Sequence, residues 1–266
     1  MYGTAWKKSD TAKLVATALR LGFRGIDTAC QPKHYEEAGV GEGVAASLGE
    51  KLTRADLYLQ TKFTSVSGQD PKRIPYDPRA SLSQQVLQSL EVSLRNLRTD
   101  YLDCLVLHSP MPTAAENREV WQAMETLVDA GKVRQLGISN CYSLDELAML
   151  FAVARIKPAV LQNRFYAQTG YDREIRAFCR KQSVLYQSFW TLTANPEILA
   201  HGTVVGLASK YQRTPAQILF RYLTQIDVVP LTGTRSEAHM SEDLAIFELT
   251  LTDPEMARLT ALFQGA

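Results

Sequence analysis

A chain of 266 residues that is 45% hydrophobic and 21% charged carries enough apolar material for a sizeable core. Its 29 basic and 28 acidic residues nearly cancel, which disfavours a nucleic-acid or membrane-surface role. No apolar run nears the roughly 20 residues of a membrane span, and residues 1–8 lack the apolar core of a signal peptide.

In chain order, residues 9–21 place Ala12, Leu14, Val15, Ala18, Leu19 and Leu21 at helical spacing, with Gly22 as a stop. The run 23–27 predicts a strand ending in Asp27. A polar loop with a proline, a histidine and a tyrosine follows, and a helix begins near Glu37 and continues over 40–48. Residues 57–62 predict a strand ending in Lys62. The loop 63–79, rich in Gly, Pro and Ser, is long enough to expect a functional role. Residues 80–97 form an amphipathic helix with Val86, Leu87, Leu90, Leu94 and Leu97 on one face. The almost wholly apolar run 101–107 reads as a strand covered on both faces.

The alternation persists. Helices are expected over 119–130, 144–154, 172–182, 203–211, 215–225, 237–245 and 253–262, and strands over 133–138, 159–163, 184–188 and 228–231. With residues 2–4 as a first strand, eight βα units run without a linker, which predicts one closed (β/α)8 TIM barrel spanning residues 1–266. An open doubly wound sheet would want a Gly-rich turn after the first strand, and no G-x-G-x-x-G occurs there.

Cys30, Cys104, Cys141 and Cys179 show no metal-ligand spacing. Reduced thiols in a cytoplasmic protein are therefore expected. The histidines His34, His108, His201 and His239 are too scattered for a metal site, so no metal is expected.

In a barrel, the carboxyl ends of the strands share one mouth, where catalysis is found. Asp27, Lys62, His108, Ser139 and Asn140, Gln162 and Phe189 with Trp190 all fall at expected strand ends. A lysine inside such a mouth needs a carboxylate, because an unpaired buried ammonium is too costly. Asp27 on the neighbouring strand is the candidate. A phenol held near that ammonium is expected to have its pKa lowered and to act as a general acid.

The segments 22–29 (GFRGIDTA), 59–62 (LQTK), 96–103 (NLRTDYLD), 105–110 (LVLHSP), 131–140 (GKVRQLGISN) and 158–162 (PAVLQ) resemble the aldo-keto reductase family over nearly the whole chain. The resemblance implies an NAD(P)H-dependent barrel that reduces aldehydes and ketones through an Asp, Tyr, Lys, His tetrad. Asp27, Lys62 and His108 match directly. The loop 30–35 is about two residues longer than the family form, which leaves Tyr35 or His34 for the proton-donor position, with Tyr35 the better chemical match.

The resemblance further implies nicotinamide contacts from Ser139, Asn140 and Gln162, ring stacking by Phe189, and a cofactor turn at Gly3 and Thr4. The match of that turn at residue 3 implies that the family's amino-terminal hairpin cap is missing or shortened, and a short carboxyl-terminal tail is expected. At the adenosine-phosphate end the usual lysine is replaced by Leu231, so Gly233, Thr234, Arg235 and His239 are the candidates, with NADP expected and NAD possible. Trp6, His34 and Trp190 are the expected substrate walls. The implied partner is a small carbonyl compound, with no nucleic acid or membrane, in a monomer or weak homo-oligomer. The competing reading is a cofactor-binding regulatory barrel with little or no reductase activity.

Overall fold

The computed structural model describes residues 1–263. The chain forms two compact units, residues 1–161 and the residues from 162 on. In the first, β1 (Tyr2–Gly3), β2 (Gly25–Asp27), β3 (Tyr58–Phe63), β4 (Leu102–Leu107) and β5 (Val133–Ser139) alternate with α1 (Thr11–Leu21), α2 (Glu37–Ser47), α3 (Leu82–Leu97), α4 (Ala114–Asp129) and α5 (Leu144–Val153). Each strand pairs in parallel with the next, with Gly3 opposite Asp27, Asp27 opposite Gln60, Lys62 opposite Val106 and Leu107 opposite Ile138. Parallel neighbours place their carboxyl ends on one side, which brings the polar strand-end residues of this unit together.

Local chemistry explains the elements. α1 buries Leu14, Val15, Ala18 and Leu19 and stops at Gly22, whose φ of 124° releases the chain and whose N–H meets the carbonyls of Ala18 and Leu19. Every residue of β4 is buried, as a strand covered on both faces requires. α2, Glu-Ala-Gly-Val-Gly-Glu-Gly, is a poor helix former by composition. Its glycines answer to packing: a Cβ at Gly41 would run into the backbone of Asn96 and Leu97 on α3. α4 begins at Ala114, five residues ahead of the expected start, because Thr113 and Glu116 form a reciprocal capping box.

From β6 (Val160–Arg164) onward come α6 (Arg173–Lys181), β7 (Leu185–Phe189), α7 (Pro196–Ala200), α8 (Gly202–Tyr211), α9 (Pro215–Gln225), β8 (Val228–Pro230), α10 (Glu237–Leu244) and α11 (Asp253–Ala261). β7 and β8 pair in parallel, with Ser188 opposite Pro230. α7 is a short helix that the apolar spacing does not announce; Pro196 opens it at the first turn. The other expected elements are present with ends shifted by a residue or two, the first strand included. All four cysteines are buried and free. No described helix is long and apolar enough to cross a membrane.

Candidate active site

The site of the first unit is built around a buried ion pair. Lys62, 1% exposed on β3, donates from Nζ to both Asp27 carboxylate oxygens at 2.7 Å and to the Thr28 carbonyl at 2.8 Å. All three ammonium protons are thereby used. Asp27, 3% exposed, also accepts from Gln60 Nε2 at 2.7 Å. Thr4 donates its backbone N–H and its hydroxyl to the Asp27 carbonyl, at 3.0 and 2.9 Å, which ties the turn after β1 to the end of β2.

The loop 28–36 then carries the two candidate rings, each with its own contacts. Tyr35 lies with its ring centroid 5.3 Å from Lys62 Nζ and 6.0 Å, edge-on, from the His108 ring. Its hydroxyl has no hydrogen-bond partner among the described residues. His34 has its ring 4.0 Å from that of Trp6 and its Nδ1 2.9 Å from Gln31 Oε1. Trp6, at φ 63° and more than half exposed, donates its backbone N–H to the His34 carbonyl at 2.7 Å.

The expected lowering of the phenol pKa is corrected by this geometry. Burial, and after it the Asp27 carboxylate, push Tyr35 well above its ordinary value. The ammonium that was to lower it faces two carboxylate oxygens, so its charge is largely compensated. Tyr35 is thus held firmly in its protonated form.

His108 follows β4. Its backbone N–H donates to the Phe63 carbonyl at 2.9 Å, and its Nδ1 lies 2.6 Å from the Thr64 hydroxyl. Asn140, at φ 53° just past β5, donates Nδ2 to the His108 carbonyl at 2.8 Å and to Ser139 Oγ at 3.3 Å. Burial, then Lys62 and His34, push the imidazole down to about 3. Since an ordinary histidine has a pKa of about 6.5, the folded protein resists a proton that the unfolded chain accepts. Stability from this group is intact above about pH 6.5 and falls as pH drops from there towards about 3. The His108 ring should accordingly read as neutral at pH 5 in a histidine nitrogen NMR titration, and a midpoint near the ordinary value would contradict its surroundings.

Glu37, the first residue of α2, is buried and accepts from Thr61 Oγ1 at 2.6 Å, from Ser93 Oγ at 2.9 and 3.2 Å, and from Asn96 Nδ2 at 3.4 Å. It pins the point where loop 28–36 rejoins the helix to β3 and α3. Burial raises its pKa against the opposing pull of those hydrogen bonds. Neither Glu37 nor Thr64 announces such a role in the sequence. Thr64 sits in an aperiodic loop, and its one signal is its place two residues after Lys62.

In the second unit, Gln162 is buried on β6 and donates Nε2 to Gln187 Oε1 on β7 at 2.9 Å. Phe189 ends β7. Trp190, at φ 56° and about half exposed, has the Arg164 guanidinium 4.0 Å from its ring, and Phe189 has it at 6.0 Å. Gly233, Thr234 and Arg235 precede α10, where Ser236 Oγ caps the helix by accepting the His239 N–H at 3.3 Å. Gly233, Arg235 and His239 are exposed around that helix start.

Residues 2–195 match the profile of the Aldo/keto reductase family. The chain belongs to the aldo-keto reductases. A relative named "Glyoxal reductase" from Bacillus subtilis (strain 168) is 28% identical over 254 residues, 96% of this chain and 84% of its own length. "Probable NAD(P)H-dependent D-xylose reductase xyl1" from Emericella nidulans is 29% identical over 287 residues, 98% of this chain and 88% of its own. The crystal structure of an aldo/keto reductase from Brucella melitensis superposes with a TM-score of 0.83 at 27% identity, covering 98% of this chain and 93% of the other. This aldo-keto reductase therefore has the expected (β/α)8 fold class, and its family acts on carbonyls as oxidoreductases that generally use NAD(P)H. The matched region ends at residue 195, ahead of the phosphate-end candidates.

Proposed function

We propose that this chain is an NADP-preferring aldehyde and ketone reductase of the alcohol dehydrogenase (NADP+) type, with Tyr35 as proton donor. The observation that carries the reading is the grouping of Tyr35 with the Lys62–Asp27 pair and a neutral His108. Tyr35, protonated and with its hydroxyl unengaged, can hand its proton to a carbonyl oxygen. Lys62, fixed by Asp27, stands beside the ring where the phenolate charge would develop. His108, neutral and tethered through Nδ1 to Thr64, can orient that oxygen by a hydrogen bond without competing as an acid. His34 supports Trp6 as a substrate wall and stays out of the proton transfer.

Bound NAD(P)H would supply the hydride. The second unit's loop fits a nucleotide phosphate. From Pro230 to Ser236 it holds no carboxylate, and it brings Arg235 and His239 to one helix start, where Ser236 Oγ accepts the His239 N–H and Thr234 Oγ1 accepts the Ser236 N–H. Arg235 can clamp a 2′-phosphate bidentately, which favours NADP over NAD. The assignments of Gly3, Thr4, Ser139, Asn140, Gln162 and Phe189 to the nicotinamide side rest on the family match, and Trp190 is kept as a substrate contact. Four buried free thiols suit a cytoplasmic setting.

The test is nucleotide oxidation with 4-nitrobenzaldehyde and a panel of small aldehydes and ketones. Aldehyde-dependent oxidation is expected, faster with NADPH than with NADH at subsaturating nucleotide. A protein that binds NADPH, seen by its fluorescence, yet oxidises it with no carbonyl on the panel would instead be a regulatory barrel.

A further inference from the structure

The loop 30–35, which carries Tyr35, has no regular secondary structure of its own to fix it. The chain holds it with two buried glutamines. Gln31 donates Nε2 to the carbonyl of Gly68 at 2.7 Å. Gln69 donates Nε2 to the carbonyl of Cys30 at 2.9 Å. Each side chain thus grips the residue immediately before the other glutamine, which makes the two contacts reciprocal. Both residues are buried, 7% and 4% exposed.

The remaining bonds of the pair lead straight to the rings of the site. Gln31 Oε1 lies 2.9 Å from His34 Nδ1. Because the Gly68 carbonyl can only accept, it fixes which end of the Gln31 amide is Nε2. Oε1 then faces His34 and requires a proton on its Nδ1. The His34 tautomer and the Trp6 stack are set together. Gln69 Nε2 also donates to the Thr64 carbonyl at 3.2 Å, where the Tyr76 hydroxyl arrives at 2.6 Å. Thr64 in turn meets His108 Nδ1 at 2.6 Å. The turn Val66–Gly68 sits tightly in this arrangement, since a Cβ at Gly68 would come within 2.7 Å of Thr64 Cγ2.

We propose that Gln31 and Gln69 are positioning residues, a reciprocal clamp between loops 30–36 and 64–69 that adapts this chain's longer tyrosine loop to the tetrad. Gln31 sets the His34–Trp6 wall that faces substrate, and Gln69 sets Thr64 and through it His108. The catalytic consequence rests on the carbonyl-reductase reading, whereas the clamp itself does not.

The test uses the full chain with Gln31→Met and Gln69→Met, which keep side-chain length and remove the amide, alone and together. Hydrogen exchange should rise in both loops for either single variant, and the double variant should add little, because the two halves act as one unit. The His34 nitrogen NMR signature should lose its Nδ1–H tautomer in Gln31→Met alone. With an aromatic aldehyde, Gln31→Met should raise KM about tenfold with kcat nearly kept, and Gln69→Met should lower kcat about tenfold, each a shift of one hydrogen bond's order. Exchange that stays at the wild-type level in the opposite loop, or that rises equally along the whole chain, overturns the clamp. A wild type that reduces no carbonyl overturns the reductase reading alone, since exchange and the His34 spectrum still decide the clamp.

Discussion

Replacing Tyr35 with phenylalanine is expected to lower kcat for 4-nitrobenzaldehyde by about 10²- to 10⁴-fold, the range that a positioned general acid contributes. KM, the melting temperature and nucleotide affinity should stay close to wild type. The reason lies in what the substitution removes. The Tyr35 hydroxyl has no hydrogen-bond partner among the described residues, so its loss strands no buried donor or acceptor. The ring, which stands edge-on to His108 at 6.0 Å and beside Lys62, is kept by phenylalanine. His34→Ala is the matched control. It should act mainly on KM, because the contacts of His34 are with the Trp6 ring and Gln31. Retention of more than a third of the wild-type kcat by Tyr35→Phe, with a deep loss in His34→Ala, would give the proton-donor position to the histidine. The pH profile adds a check with a definite sign. Burial and Asp27 raise the phenol pKa, so the donor stays protonated through neutral pH and no fall in kcat from Tyr35 ionisation should appear below about pH 10, the ordinary tyrosine value.

Asp27, Lys62 and His108 are legible in the sequence because each is a polar residue at or beside the carboxyl end of an apolar run. Parallel pairing in chain order then brings such ends to one side. The strands themselves are legible for the same reason, since buried β4 can be built from little else than Leu, Val and Cys. What the residues do not reveal lies in the loops. Nothing periodic marks Gln31, Thr64, Gln69 or Tyr76, and each has a partner 12 to 44 residues away. Such choices are made by the tertiary fold and leave no local pattern. The start of α4 is a different kind of omission. Its signal, Thr113 followed by Glu116, is in the sequence, but it is a capping signal ahead of the apolar spacing. The phenol pKa departs from the expected lowering for a physical reason. Desolvation dominates a buried ring, and the Asp27 carboxylate acts in the same direction, against the pull of the ammonium.

Lys62→Met should be the more damaging change, because it strikes the fold and the chemistry together. Breaking a buried pair by removing one partner typically costs about 3–5 kcal/mol, since the remaining charge is left uncompensated. Here Asp27 would lose the ammonium that contacts both of its oxygens at 2.7 Å, while the Gln60 Nε2 donor stays. The Thr28 carbonyl would lose its Lys62 donor as well. A buried carboxylate without its cation favours the neutral acid, so the variant should lose stability as pH rises above about 3.9, the value of an aspartate in the unfolded chain. Denaturant unfolding at pH 4 and pH 7 should therefore show the larger deficit at pH 7. Adding Asp27→Asn removes the stranded charge, and the double variant should recover much of the lost stability at pH 7. It should not recover kcat, because no cation then stands beside the Tyr35 ring to meet the developing phenolate. The two outcomes separate the roles of the pair. Recovery of stability without activity assigns Asp27 to holding Lys62, and Lys62 to the phenol. A double variant as unstable as Lys62→Met would mean that packing of the lysine stem, rather than the orphaned carboxylate, had set the cost. A Lys62→Met protein with near wild-type kcat would remove the ammonium from the chemistry altogether.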